Sequence, residues 1–122
     1  MSLDWTEYLK LAHELAGDAP IEPLSEESRQ RTAISRAYYA AFHVCIRKLG
    51  AKVPAYQNSH LAVADYFLHN RNNGYKRVGR KLDMLLHDRR RADYDDDFLR
   101  IDWIAEKALS NAREIIELIR VL

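Results

Sequence analysis

The longest uninterrupted helical pattern in this chain is the stretch Ser25–Leu49, which contains neither glycine nor proline. Ser25 suits the N-cap, with Ser28 as an alternative start, and Gly50 stands where a helix ends. Because a helix with an apolar face and an alanine-rich centre needs neighbours on more than one side, this stretch is predicted to be the central helix of a bundle. The apolar residues that share its face are Ile34, Ala37, Tyr38, Ala41, Cys45, Ile46 and Leu49.

Four further helical patterns flank this stretch, and no segment alternates between apolar and polar residues as a strand does. They cover residues 3–16, residues 58–69 with Asn58 or Ser59 as the cap, Tyr75–Arg91, and a last helix that Asp95–Asp97 are expected to cap. Turns rich in glycine, proline and asparagine are expected at 17–24, 50–56 and 70–74. The sequence therefore predicts an all-α fold, an up-and-down bundle of about five helices in one domain of residues 1–122.

Composition excludes several classes of protein. The single cysteine, Cys45, cannot form an internal disulfide, which favours a reducing, cytoplasmic compartment. No apolar run approaches the ~20 residues of a membrane span, and the first ten residues do not have the shape of a signal peptide. A net charge of +1 gives no global attraction to nucleic acid. Basic residues are nevertheless concentrated between Lys76 and Arg91, and four aspartates follow within six residues.

Three segments together resemble a known family. They are SRAYYAAFH at Ser35–His43, the histidine His60 near the start of the third helix, and RRRADYDD at Arg89–Asp96. The combination resembles the HEPN superfamily (higher eukaryotes and prokaryotes nucleotide-binding domain). The resemblance implies a small helical bundle, usually a two-fold homodimer, and a function in binding or acting on RNA or nucleotide.

Two functional alternatives follow from this resemblance. Many members are metal-independent endoribonucleases of toxin–antitoxin or defence systems, and the toxins are often paired with a small nucleotidyltransferase antitoxin. Other members are non-catalytic modules that bind RNA, nucleotide or a protein partner. A third, plainer hypothesis is a scaffold whose only activity is dimerisation.

Catalytic members of the superfamily carry an arginine and a histidine a short distance apart, near the junction before the last helix. In this chain Tyr94 stands where a histidine would follow Arg89. Two arginine–histidine pairs occur elsewhere, each with a spacing of seven residues, about two helical turns, so each pair shares a helix face. The candidate catalytic residues are accordingly Arg80 with His87 and Arg36 with His43.

These residue types suit metal-independent cleavage of RNA, because histidine exchanges protons near neutral pH and arginine binds phosphate with two parallel hydrogen bonds. The plainer alternative is that Arg80 and His87 are ordinary surface residues and that Arg36 forms an ion pair with Asp93. The candidate residues for binding RNA or nucleotide are Arg89, Arg90, Arg91, Asp93 and Tyr94. Their charges are also explained by the helix dipole, since cations suit a helix C-terminus and anions suit the next N-terminus.

No metal site and no cofactor are predicted. The five histidines show no short ligand spacing, and a cysteine pair is absent from the sequence. Asp93, Asp95 and Asp97 resemble the opening of a calcium-binding loop, but Phe98 and Ile104 occupy the positions of its required glycine and glutamate. The sequence also lacks a glycine-rich phosphate loop.

Overall fold

The computed structural model describes residues 4–17, 24–52 and 59–122. These ranges contain five α-helices, α1 (Glu7–Leu15), α2 (Glu26–Leu49), α3 (His60–Leu68), α4 (Asn73–Tyr94) and α5 (Ile101–Val121), with a 3₁₀ turn at Gly50–Lys52. Within the same ranges there is no strand, so the predicted all-α fold is confirmed. The turns expected around Pro20, Pro23 and Pro54, and the alternative cap Asn58, lie outside the described residues.

Helix α2 is the central helix, as predicted, because it contacts each of the other four helices. The hydroxyl of Ser25 accepts a hydrogen bond from the backbone N–H of Ser28 at 3.2 Å, which makes Ser25 the N-cap. The predicted apolar face is buried, with Ile46 partly so. Since that face is turned inward, the polar residues Arg36 and His43 lie exposed on the opposite side of α2.

Both ends of α4 differ from the prediction. The helix begins at Asn73, two residues before the predicted Tyr75, and it continues to Tyr94 instead of ending at Arg91. Asp95–Asp97 do not cap α5, because the position before that helix is Arg100, which has a left-handed φ of 57° and makes no side-chain capping hydrogen bond. The predicted connector at residues 92–97 is therefore wrong, and the connection between the two helices runs from residue 95 to residue 100.

Arg31 of α2 explains why α4 continues beyond its predicted end. Its side chain is completely buried, between the rings of Trp5 and Phe98 at 5.1 and 5.5 Å from their centroids. Carbonyl groups at the end of a helix have no partner within the helix, and a buried cation can supply one. The guanidinium of Arg31 donates to four backbone oxygens at the end of α4 and in the segment after it, those of Arg91, Ala92, Asp95 and Asp96.

Helix α3 packs closely on α4 and so fixes the position of its first residue, His60. The hydroxyl of Ser59 caps α3 by accepting from the backbone N–H of Ala62 at 3.2 Å. Gly79 of α4 permits the close approach, because a Cβ atom there would lie 2.6 Å from the backbone nitrogen of Leu68. Among the described helices, none is both long enough and apolar enough to cross a lipid bilayer.

Candidate functional site

Three segments that are distant in sequence meet near the C-terminal end of α4. Arg89 is buried, and its guanidinium lies 5.6 Å from the ring centroids of both Tyr38 and Tyr39 of α2. The hydroxyl of Tyr38 is hydrogen-bonded to Nδ1 of His60, the first residue of α3, at 2.5 Å. Asp93, one turn beyond Arg89, accepts a hydrogen bond from it at 3.2 Å. These five residues are called the Arg89 cluster below.

Arg89 is a fixed positive charge within this cluster. Burial acts to lower its pKa, but the hydrogen bond to Asp93 and the charges of Tyr39 and Asp93 raise the pKa by more. Asp93 is itself held in place, since its Oδ2 also accepts from the hydroxyl of Ser35 at 3.3 Å. A guanidinium carries more donor hydrogens than this one carboxylate accepts, and Arg89 lines an open cavity. The Nε of Arg89 is buried and has no hydrogen-bond partner among the described residues, so any donor offered to an anion in the cavity must come from the terminal nitrogens.

His60 is a neutral histidine at neutral pH. Burial lowers its pKa below the ordinary value of 6.5, and the positive charges of Arg89 and Arg90 and the nearby His43 lower it further. Its ring lies 4.6 Å from the ring centroid of Phe42, a contact that fixes its orientation together with the bond to Tyr38. A polar ring is therefore presented beside the arginines without adding a further charge.

The predicted pair Arg36 and His43 lies at the edge of the Arg89 cluster, on either side of Tyr39. The guanidinium of Arg36 is 5.4 Å from the Tyr39 ring centroid, and the His43 ring is stacked at a centroid distance of 6.3 Å. Both side chains are exposed. Asp93, the partner that the sequence suggested for Arg36, is held instead by Arg89 and Ser35.

An open cavity of about 430 Å³ borders the cluster. Leu11 and Leu15 of α1 form its apolar side. Its polar side is lined by Arg36, Tyr39, Arg89, Asp93 and Tyr94. The volume falls within the range of small-molecule sites, about 300–1,000 Å³.

The three consecutive arginines of α4 point in different directions. Arg89 is in the cluster, and Arg90 is exposed but close enough for its charge to act on both Tyr38 and His60. Arg91 lies on another side, with its guanidinium 4.3 Å from the Phe98 ring centroid and an ion pair to Asp95 at 3.7 Å. Arg89 therefore lies in the site, and Arg90 lies near enough to act on it through its charge. Arg91 instead stabilises the connection to α5.

Arg80 and His87 are both exposed on α4 and are separated by about 10 Å along its axis by helical rise. His87 borders a second groove of about 350 Å³, which Arg90, Lys107 and Asp88 also line. Of these residues only Asp88 is buried. Arg80 lies about 13 Å before Arg89 along the same helix. This pair is not part of the Arg89 cluster, and its catalytic role stays a prediction.

Sequence reasoning did not nominate four residues of this site, namely Ser35, Tyr38, Tyr39 and His60. Tyr38 stands among the apolar residues that share the inner face of α2, and it does lie in the core. The signal that would have found them is that each belongs to one of the segments carrying the family resemblance. Those segments meet in space only because α3 and the end of α4 both pack on the middle of α2.

Within the described ranges, no three histidine, cysteine, aspartate or glutamate residues lie close enough together to hold a metal ion. The titratable side chains at the site are histidines, tyrosines and the carboxylate of Asp93, with arginines around them. Side chains of these types are able to bind anions and to exchange protons.

Comparison with known proteins agrees with this arrangement. The family model of the HEPN domain matches residues 20–122. The chain belongs to the HEPN domain family. The match contains all of helices α2–α5, and with them every residue of the Arg89 cluster. Membership places the protein in a family whose functions concern nucleotides and RNA. Neither the search of curated proteins nor the search of solved structures found a match.

Proposed function

We propose that this HEPN-domain protein binds RNA at the Arg89 cluster and the adjoining cavity. The observation that carries the proposal is the balance of charge there: Arg36 and Arg89 line a cavity whose lining contains one carboxylate, that of Asp93. Arg90 lies outside this lining, but its positive charge is close enough to lower the pKa of His60. Phosphate oxygens are the natural complement, because guanidinium groups bind them with paired hydrogen bonds and remain charged at every physiological pH. His60 adds a neutral polar group.

The aromatic rings of the site favour RNA over a simple anion. Tyr39 borders the cavity, and the exposed His43 is stacked beside it. Unpaired bases stack on such rings, and each stacked base contributes about 1–3 kcal/mol to binding. Phosphate contacts from the arginines and base contacts from these rings together describe a single-stranded RNA site.

The test is binding of a fluorescently labelled oligouridylate, measured by anisotropy at several salt concentrations. Arg36→Ala and Arg90→Ala are the informative variants, because both side chains are exposed and their removal should leave the fold intact. Each is expected to weaken binding and to reduce the slope of log K against log salt by about 0.7, the value for one lost phosphate contact on a single strand. Arg113→Ala, an exposed arginine of α5, is the matched control. Equal behaviour of all three variants would contradict the proposal.

Metal-independent cleavage of RNA is the second candidate function. It is favoured by two histidines beside the arginines, because a pair of imidazoles can supply both the base and the acid that the reaction needs. Cleavage of RNA in EDTA by His43→Ala and His60→Ala, against wild type, tests it. His87→Ala and Arg80→Ala are tested in the same assay. Loss of cleavage in both of these variants would show that the catalytic residues lie on α4 and not in the Arg89 cluster. Purified wild-type protein that binds RNA without cutting it would leave the binding function alone.

We infer the assembly state and the partner from family membership. A homodimer is expected, and light scattering at micromolar concentration tests it. A small nucleotidyltransferase antitoxin is the expected partner if the protein is the toxin of a toxin–antitoxin pair. Co-expression followed by affinity purification would establish or exclude that complex.

A further inference from the structure

One exposed stripe of α2 leads away from the Arg89 cluster. Arg36, Ala40, His43 and Arg47 follow one another at helical spacing, and all four are exposed. By helical rise, the stripe extends about 16 Å from Arg36 to Arg47. It begins at the cavity that borders the cluster, which Arg36 lines. The stripe contains no acidic residue.

A groove of about 710 Å³ lies at the other end of this stripe. Its floor is apolar, and its basic side chains belong to the C-terminal half of α2. The ammonium group of Lys48 donates a hydrogen bond to the backbone oxygen of Leu122 beside it. The lining residues are His43, Val44, Ile46, Arg47, Lys48 and Ile119, with no carboxylate among them.

His43 connects the two sites. Its ring is stacked on Tyr39, which lines the cavity of the Arg89 cluster, and the same side chain lines the groove. A chain molecule bound along α2 would therefore pass from one site to the other without leaving a cationic surface. The charge of the stripe selects an anionic chain, and the rings and the apolar floor select one that carries flat, apolar faces.

We propose that the exposed stripe of α2 and this groove form a track that binds a single strand of RNA as it leaves the Arg89 cluster. The inference rests on the proposed function, since the cluster is the first binding position and the groove is a later one. Arg36 and Arg47, about 16 Å apart by helical rise, contact two phosphates of the same strand that are not adjacent, and Val44, Ile46 and Ile119 accept a base. A duplex does not fit this description, because its base faces are hidden in the stack. An acidic peptide lacks the repeated flat rings.

The experiment compares probes of different length on the full chain. Uridine monophosphate reports the cluster alone, whereas oligouridylates of about 4 and 8 nucleotides, at the short end of known single-strand site sizes, also reach the groove. Duplex RNA of the longer length and polyglutamate are the competing probes. Affinity is measured by competition against a labelled oligonucleotide at several salt concentrations.

Arg47→Ala is the decisive variant, with Arg113→Ala as its charge-matched control. We expect Arg47→Ala to weaken binding of the longer oligouridylate several-fold and to lower its salt slope by about 0.7. Binding of uridine monophosphate should not change, because Arg47 lies in the groove and not in the cluster. The longer oligouridylate should also displace the label better than the duplex or polyglutamate does.

Three results would overturn the track. If monophosphate and longer oligouridylate bind equally and Arg47→Ala behaves as Arg113→Ala, the cluster stands and the track does not exist. If polyglutamate or duplex competes as well as the single strand, the surface is a general polyanion-binding or protein-binding face. If no RNA probe binds, or if Arg36→Ala has no effect on monophosphate, the proposed function itself fails and the track fails with it.

Discussion

Replacement of Arg31 by methionine tests whether a buried guanidinium holds the end of α4. Methionine has a similar length and keeps apolar contacts with Trp5 and Phe98, but it removes every hydrogen-bond donor. In the native protein the side chain is fully buried. Its guanidinium serves backbone oxygens of the last turn of α4 and of the segment that follows, at 3.1 Å for Ala92 and 3.0 Å for Asp96.

The magnitude follows from the acceptors that lose their donor. A hydrogen bond from a charged donor contributes about 1.5–3 kcal/mol. The bond to Ala92 is fully buried, whereas those to Arg91, Asp95 and Asp96 are part-buried and therefore contribute less, and the Arg91 oxygen keeps the hydrogen bond that it accepts from the Asp95 N–H. One full contribution and smaller ones from the others give a loss of about 3 kcal/mol in the free energy of unfolding. For a chain of 122 residues, this loss lowers Tm by roughly 12 °C, at an unfolding entropy of about 2.1 cal/mol/K per residue.

Thermal and urea unfolding followed by circular dichroism measure this loss. Arg29→Met is the matched control on the same helix, because Arg29 is exposed and its ion pair with Glu14, at 2.8 Å, is a surface interaction worth about 0.2–1 kcal/mol. The control should lower Tm by no more than about 4 °C. If Arg31→Met unfolds within the range of Arg29→Met, the four carbonyl contacts do not stabilise the end of α4, and the reasoning is refuted.

Three further predictions concern the core and the site. Gly79→Ala should destabilise the protein by about 1–3 kcal/mol although alanine is the better helix former, because the new Cβ would lie 2.6 Å from the Leu68 backbone nitrogen; a raised Tm would contradict this. Burial raises the pKa of Cys45 to about 12, so a thiol reagent at mildly alkaline pH should label it only in concentrated urea, and rapid labelling of native protein would refute its burial. The lowered pKa of His60 means that the unfolded chain binds this proton more readily, so stability should fall as pH drops below about 6.5 and through the folded pKa; urea titrations at several pH values should show a smaller fall for His60→Gln.

The helical fold could be predicted because its information is local. Periodic apolar residues report which side of α2 is buried, and caps such as Ser25 and Ser59 act within one turn. The end of α4 could not be predicted in the same way. Arg31 appears in the sequence as one more polar residue, and its partners are backbone oxygens about sixty positions away, which no periodicity records. Asp95–Asp97 have the composition of an N-cap, but tertiary contacts place them before α5 begins.

The candidate site was partly predictable for the same reason. Arg89, Arg90 and Asp93 stand in a segment whose charge pattern was visible, and Arg36 and His43 share a helix face by spacing alone. Tyr38 and His60 lie 22 positions apart, and only the packing of α3 brings them into hydrogen-bonding distance. Charge type nominated Arg36, Arg89 and Arg90 as candidate side chains for binding an anion, whereas the neutral groups beside them could be found only from the tertiary structure.

The hydrogen bond between Tyr38 and His60 bears on whether the site binds or cleaves. Burial raises the pKa of Tyr38, so its hydroxyl keeps its proton, and His60 Nδ1 is its one hydrogen-bond partner within the described part of the chain. A hydroxyl that keeps its proton can donate or accept, and donation to Nδ1 is the direction that uses this proton, so we expect Tyr38 to donate to Nδ1 and the proton of the neutral imidazole to lie on Nε2. A neutral His60 of this tautomer is able to donate a hydrogen bond from Nε2 but cannot accept a proton there, so the base of any cleavage reaction would have to be His43. Nitrogen-15 spectra should show a protonated Nε2 and an unprotonated Nδ1 for His60, and Tyr38→Phe should give a mixture of tautomers. A protonated Nδ1 in the wild type would reverse the assignment and make His60 a proton acceptor, in which case cleavage, and not binding alone, would become the favoured function.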